Sequence, residues 1–250
     1  MDGPFDPPLA LASLSGDADA EWARAGAPYA GAAFLGGIAL DEPSRAAARD
    51  LVARDRNEFL PDDPLAWIDD QLDALADVDL RPGVNVRATA PDPVREAAAV
   101  CARHDAIVEV NAHCRQAELC AVGCGETLLA DTARLREYVA AAAEAGATVS
   151  VKVRAGVDDV DLPVTARAVA DAGASILHVD AMDSEPAIAR VVDAAPSLFV
   201  VANNEVRDEA TVREYLAYGA DAVSVGRPST DPVVLERVSN ALDAIRASTT

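Results

Sequence analysis

The stretch TVSVKVRAG, Thr148–Gly156, alternates strictly between apolar and polar side chains. Val149, Val151 and Val153 fall on one face of a strand, and Ser150, Lys152 and Arg154 on the other. A strand with one apolar face and one charged face near its end fits a barrel. There, one face packs on helices and the other points inward toward the mouth. Lys152 is also the only lysine in the chain; the other 20 of its 21 basic residues are arginine.

Similar short apolar runs recur on both sides. They are Leu9–Leu14, Ala32–Leu40, Gly83–Ala88 and Ile107–Ala112 before it, then Ile176–Ala181, Leu198–Asn204 and Ala222–Pro228 after it. Between them lie segments with helix start and stop signals, such as DPVREAAAVCARH, DTARLREYVAAAAEAGA and DEATVREYLAYGA. Gly146, Gly173 and Gly219 each end a helix just before a strand. Eight strands alternating with helices over 250 residues predict an aldolase-type (β/α)8 TIM barrel, a single domain over 1–250 with ragged ends at about 1–8 and 247–250. An open doubly wound sheet is the alternative, but the loop after the first run is SGDAD rather than G-x-G-x-x-G. The Asp41–Asp79 segment is expected to be an elaborated loop and helix after the second strand.

Hydrophobic residues make up 51% of the chain, enough for a packed core. No run of about 18 apolar residues occurs and the N-terminus has no basic-then-apolar pattern, so a soluble cytoplasmic protein without membrane contact is expected. The net charge of −21 is spread along the chain. Abundant aspartate with one lysine points to a halophilic cytoplasm, where salt screens self-repulsion; a GC-rich genome, which favours Ala, Arg and Asp codons over Lys, is the alternative. Such a chain repels nucleic acid at low salt unless arginines gather locally. Four cysteines, three of them within eleven residues, do not form a disulfide framework. The spacing of Cys114, Cys120 and Cys124 lacks the C-x2-C of common metal sites, so no metal is expected.

In a barrel, chemistry gathers at the C-terminal strand ends. Those ends carry Arg87, Asn111–His113–Cys114, Lys152 and Arg154, His178 and Asp180, Asn203–Asn204, and Gly226–Arg227. Lys152 offers a compact point charge to an anionic ring edge, which a guanidinium fork does not mimic. Gly226 and Arg227, with the Asn203–Asn204 loop, fit a phosphate. Cys114 over the mouth is a candidate acid or nucleophile. His178 is expected as a pocket donor near Lys152, with a core histidine satisfied by a backbone carbonyl as the alternative.

In this order the motifs resemble those of the tRNA-dihydrouridine synthases. N-A-H-C-R is similar to N-x-G-C-P, and GCGETLL to G-A-G-x-x-L-L. VSVKVRAG resembles V-x-x-K-x-R-x-G, ILHVD stands where that family has L-x-x-H-G-R, and VVANNEV resembles V-x-x-N-G-D-I. GADAVSVGRPSTDP resembles G-A-D-x-V-M-I-G-R-x-x-x-x-P. The resemblance runs from Gly83 to Pro232. It implies an FMN-dependent oxidoreductase with NAD(P)H as electron donor, reducing the C5–C6 double bond of a uracil ring. Cys114, Lys152 and His178 would be catalytic, with Cys114 as proton donor. FMN would be held by Arg87, Asn111, Lys152, His178, Asn203, Asn204, Gly226 and Arg227, and the substrate by Asn111 and Arg154. The helical C-terminal domain of that family is not seen. With the charge of −21, this sets a free pyrimidine beside tRNA as the alternative partner. A phosphate-binding barrel with Lys152 as nucleophile is the non-redox alternative.

Overall fold

The computed structural model describes Gly3–Thr249. Eight parallel strands close into one barrel in sequence order. They are β1 (Leu9–Leu11), β2 (Ala32–Ala39), β3 (Arg81–Arg87), β4 (Ile107–Asn111), β5 (Thr148–Arg154), β6 (Ile176–Asp180), β7 (Phe199–Asn203) and β8 (Ala222–Val225). Among the described residues eleven α-helices surround them: α1 (Ala20–Gly26), α2 (Glu42–Val52), α3 (Pro64–Asp73), α4 (Pro91–Arg103), α5 (Ala117–Ala121), α6 (Glu126–Ala130), α7 (Thr132–Glu144), α8 (Leu162–Asp171), α9 (Ala187–Ala194), α10 (Glu209–Ala217) and α11 (Pro232–Thr249). This is a (β/α)8 TIM barrel, as the alternating runs predict.

The helix starts follow from local chemistry. Asp41, Asp63, Asp131, Asp161 and Asp208 each accept from a backbone N–H of the first turn, satisfying donors the helix leaves open. The abundant aspartate thus serves caps as well as surface charge. His104 caps the end of α4 and its Nε2 meets Asp69 at 2.8 Å.

The segment 41–79 holds two helices, α2 and α3, rather than one. The loop between them climbs back to the mouth, where Phe59 pairs with Ile38. Two short helices, α5 and α6, also precede α7.

The barrel interior changes character with height. Its floor is apolar: Phe5, Ala10, Ala32, Phe34, Ile107, Ile176, Val201 and Ala222. Above it the inward positions become polar. Val149, Val151 and Val153 face the helix layer, fully buried, while Ser150, Lys152 and Arg154 lie on the inner face, as the alternation requires.

Candidate active site at the barrel mouth

A buried carboxylate anchors the middle layer. Glu109, on the inner face of β4, has no exposed surface. Its Oε1 accepts from Asn85 Nδ2 at 2.7 Å, and its Oε2 from Ser150 Oγ at 3.0 Å. His178 Nδ1 lies 2.8 Å from the same Oε2. Burial works against the charge, yet the His178 and Lys152 fields and the donors around it hold Glu109 down to about 2. His178 Nε2 meets Ser224 Oγ at 2.7 Å, and Asn203 Nδ2 donates to that hydroxyl at 2.8 Å. On the other side, Asn111 Nδ2 donates to Asn85 Oδ1 at 2.8 Å.

These bonds converge on the carboxylate. Burial lowers the His178 pKa, while the charge of Glu109 raises it. The carboxylate only accepts, so His178 donates from Nδ1, and its Nε2 meets the Ser224 hydroxyl. A continuous chain therefore runs from Asn203 on β7 through Ser224, His178, Glu109 and Asn85 to Asn111 on β4.

Asn111 carries that chain into the loop above. Its Oδ1 accepts from the backbone N–H groups of His113 at 3.2 Å and Cys114 at 3.1 Å. The carbonyl of Cys114 in turn accepts from Glu126 N at 2.9 Å. Gly125 permits this close approach: a Cβ there would lie 2.1 Å from the Cys114 oxygen, and its φ is +59°. Cys114 itself is partly exposed.

Lys152 occupies β5 between Asn111 of β4 and His178 of β6 in register. It is 4% exposed. Among the described residues its ammonium makes no hydrogen bond and no ion pair within 4 Å. Burial lowers its pKa, while the fields of Glu109 and Asp180 raise it. A buried ammonium without a direct partner is costly. It fits a site whose acceptor arrives with a ligand.

The other expected residues divide into two groups. Asn203, Asn204, Gly226 and Arg227 cluster at the ends of β7 and β8. A Cβ at Gly226 would meet nothing within 4 Å, so open space lies there. Arg227 is exposed and enters no ion pair among the described residues. Asn204 has φ +110°, a backbone conformation that favours glycine, and its carbonyl accepts from Tyr215 Oη at 2.9 Å. Arg87, His178 and Arg154 are already engaged. Arg87 is clamped by Glu58 at 2.5 Å and by Ser15, leaving only its Nε without a partner. His178, expected as a pocket donor, lies fully buried with both nitrogens bonded, below the mouth. Arg154, expected on the substrate, pairs with Glu126 at 2.8 Å.

The sequence reading did not assign Glu109, Asn85, Ser224, Glu126 or Glu58. The first two had a signal: Asn85 stands two positions before Arg87, and Glu109 two before Asn111, each on the inward face. Cys124 is buried, and its thiol is pushed up to about 12 by desolvation. Its Sγ points to Ala88 O, while Cys120 Sγ points to the Cys114 carbonyl. Among the described residues no group of three His, Cys, Asp or Glu is placed to hold a metal ion.

A closed parallel barrel with its polar groups gathered at the C-terminal rim defines a TIM-barrel protein. The family described as dihydrouridine synthase (Dus) matches residues 81–249, and the chain belongs to that family. An uncharacterised protein of Methanocaldococcus jannaschii is 28% identical over 152 residues, covering 60% of this chain and 59% of that protein. The chain thus spans about three fifths of that relative's length. Among solved structures, DHODH from Eimeria tenella, in complex with ferulenol, superposes with a TM-score of 0.71 at 16% identity, covering 97% of this chain and 82% of that one. A tryptophan synthase complex from Pyrococcus furiosus gives 0.58 at 15% identity, covering 97% and 96%. A lyase/mutase-like protein from Burkholderia cenocepacia gives 0.57 at 17%, covering 100% and 81%. These likenesses show the barrel fold.

Proposed function

We propose that this protein is an FMN-dependent oxidoreductase that reduces the C5–C6 double bond of a uracil ring. The observation that carries the reading is Lys152, a buried ammonium with no direct partner in the mouth of a dihydrouridine synthase-family barrel.

Bound FMN supplies hydride transfer, recharged by NAD(P)H. Lys152 would stabilise negative charge at the pyrimidine edge of the flavin. Asn203, Asn204, Gly226 and Arg227 would hold its phosphate, with Gly226 leaving room for close approach. Glu109 and His178 act from below, keeping Lys152 charged and Asn203 oriented. Asn111 fixes the loop that carries Cys114. Saturating the double bond takes one hydride and one proton. Cys114 releases the proton from Sγ to the ring carbon and regains one from solvent.

The substrate is a uridine of tRNA in the first reading. Arg115 and Arg227, both exposed and outside any ion pair among the described residues, are cations available to a phosphate backbone. A free pyrimidine is the second reading, favoured by the net charge of −21. Protein purified in high salt and then denatured should release FMN, seen in the visible spectrum. Dihydrouridine missing from the tRNA of a deletion strain supports the tRNA substrate; unchanged dihydrouridine overturns it in favour of the small pyrimidine. A colourless protein that takes up no FMN overturns both flavin readings and leaves Lys152 as the nucleophile of a non-redox barrel.

A further inference from the structure

His113 crosses the mouth. It leaves the top of β4, yet its Nε2 lies 2.6 Å from Asp180 Oδ2 at the end of β6. Strand β5 stands between those two strands, so the bridge spans the end that carries Lys152 and Arg154. The ring remains 28% exposed. Asp180 is 8% exposed, and its Oδ1 is buried without a partner.

The bridge fixes the chemistry of the ring. An ionised carboxylate only accepts, so Nε2 carries the proton. Nδ1 then holds a lone pair, and no residue among those described donates to it. Desolvation lowers the His113 pKa, with Asp180 opposing and the Lys152 and Arg154 charges assisting, which keeps the ring neutral. The two residues expected to hold the substrate have partners within the chain: Asn111 Nδ2 and Oδ1 with Asn85 and the loop, and Arg154 Nη1 with Glu126. His113 Nδ1 is an oriented, unused acceptor on a partly exposed ring at the mouth, whereas the unused Asp180 Oδ1 is buried.

We propose that His113, oriented by Asp180, contacts the substrate by accepting a hydrogen bond at Nδ1 from a ring N–H, which selects a pyrimidine with a protonated imide nitrogen. This rests on the uracil reading above. A uracil ring offers such an N–H. A cytosine-type ring sets a lone pair against Nδ1 and is rejected, because two acceptors face each other.

The test uses uracil and 3-methyluracil as probes. Each is titrated into the full-length, flavin-loaded protein in high salt, with 15N-histidine labelling. The chain has three histidines, so their ring signals are separable. Uracil is expected to move one Nδ1 signal that vanishes in His113→Ala. 3-Methyluracil should bind the unaltered protein at least about tenfold more weakly, as should uracil the His113→Ala protein. Equal binding of the two probes to the unaltered protein overturns the proposal without any variant. So does unchanged uracil affinity in His113→Ala. The titration needs no turnover: selective uracil binding by a protein that takes up no flavin overturns the redox reading alone.

Discussion

Glu109 Oε2 and His178 Nδ1 lie 2.8 Å apart inside the barrel, and neither side chain has any exposed surface. Burial lowers the His178 pKa against the pull of the carboxylate, and the Lys152 ammonium one strand away adds a second positive field at Glu109. The lysine that the composition isolates is thus tied to a carboxylate deeper in the barrel as well as to the mouth.

Glu109→Gln removes the charge while keeping the shape. It removes one of the two carboxylates, Glu109 and Asp180, whose fields favour the Lys152 ammonium, and sets an amide N–H₂ among the donors Asn85, Ser150 and His178. Removing one partner of a buried charge pair costs about 3–5 kcal/mol. Denaturant unfolding in high salt should show a loss of that size.

The same carboxylate sets a pH dependence. Its folded pKa is held down from an ordinary 4.5 to about 2. A depressed carboxylate contributes stability that is complete above its unfolded pKa and lost as pH falls through the folded one. The window is therefore pH 4.5 to about 2, and the contribution about 3 kcal/mol. Unfolding free energies measured across that window should fall less steeply in Glu109→Gln than in the unaltered protein.

Lys152→Met and Lys152→Arg separate charge from shape. The first removes the cation; the second keeps it on a planar fork too large for an ammonium's place. Both should lose bound flavin on gel filtration, the arginine variant because a packed interior does not yield to added bulk. Full flavin retention by Lys152→Met would remove Lys152 from the site.

Cys114→Ala should keep its flavin and lose about 100-fold or more in uracil reduction, the usual worth of a positioned proton donor. Gly125→Ala should produce a similar loss by another route, since its Cβ would press on the Cys114 carbonyl. Single-turnover oxidation of the reduced flavin by substrate measures both.

Salt should stabilise the protein strongly. With a net charge of −21, self-repulsion opposes folding until ions screen it; the screening length shrinks from about 10 Å at 0.1 M to about 3 Å at 1 M. The melting temperature should climb over that range and then level.

Much of the barrel was legible because its signals are local. Alternation in TVSVKVR marked β5 at its observed bounds, and aspartates before apolar helices marked their starts. The second helix in 41–79 was hidden because PDDPLAWIDDQL reads equally as a loop with one helix, and only the return of Phe59 to Ile38 fixes it. Family motifs placed Cys114, Lys152, Asn203 and Arg227 at strand ends. They did not reveal that Arg87, Arg154 and His178 would find partners within the chain. Those partners, Glu58, Glu126, Glu109 and Ser224, come from distant segments.

By itself the sequence determined which face of each strand points inward, because side-chain direction alternates along any strand regardless of its neighbours. It therefore determined that polar and charged side chains gather on the inner face toward the mouth. Only the tertiary structure decided how the groups there share protons and charge. Hydrogen bonds act within about 3 Å, and closing the barrel brings β4, β5, β6 and β8 to that distance. The same closure left the Lys152 ammonium and the His113 Nδ1 without partners.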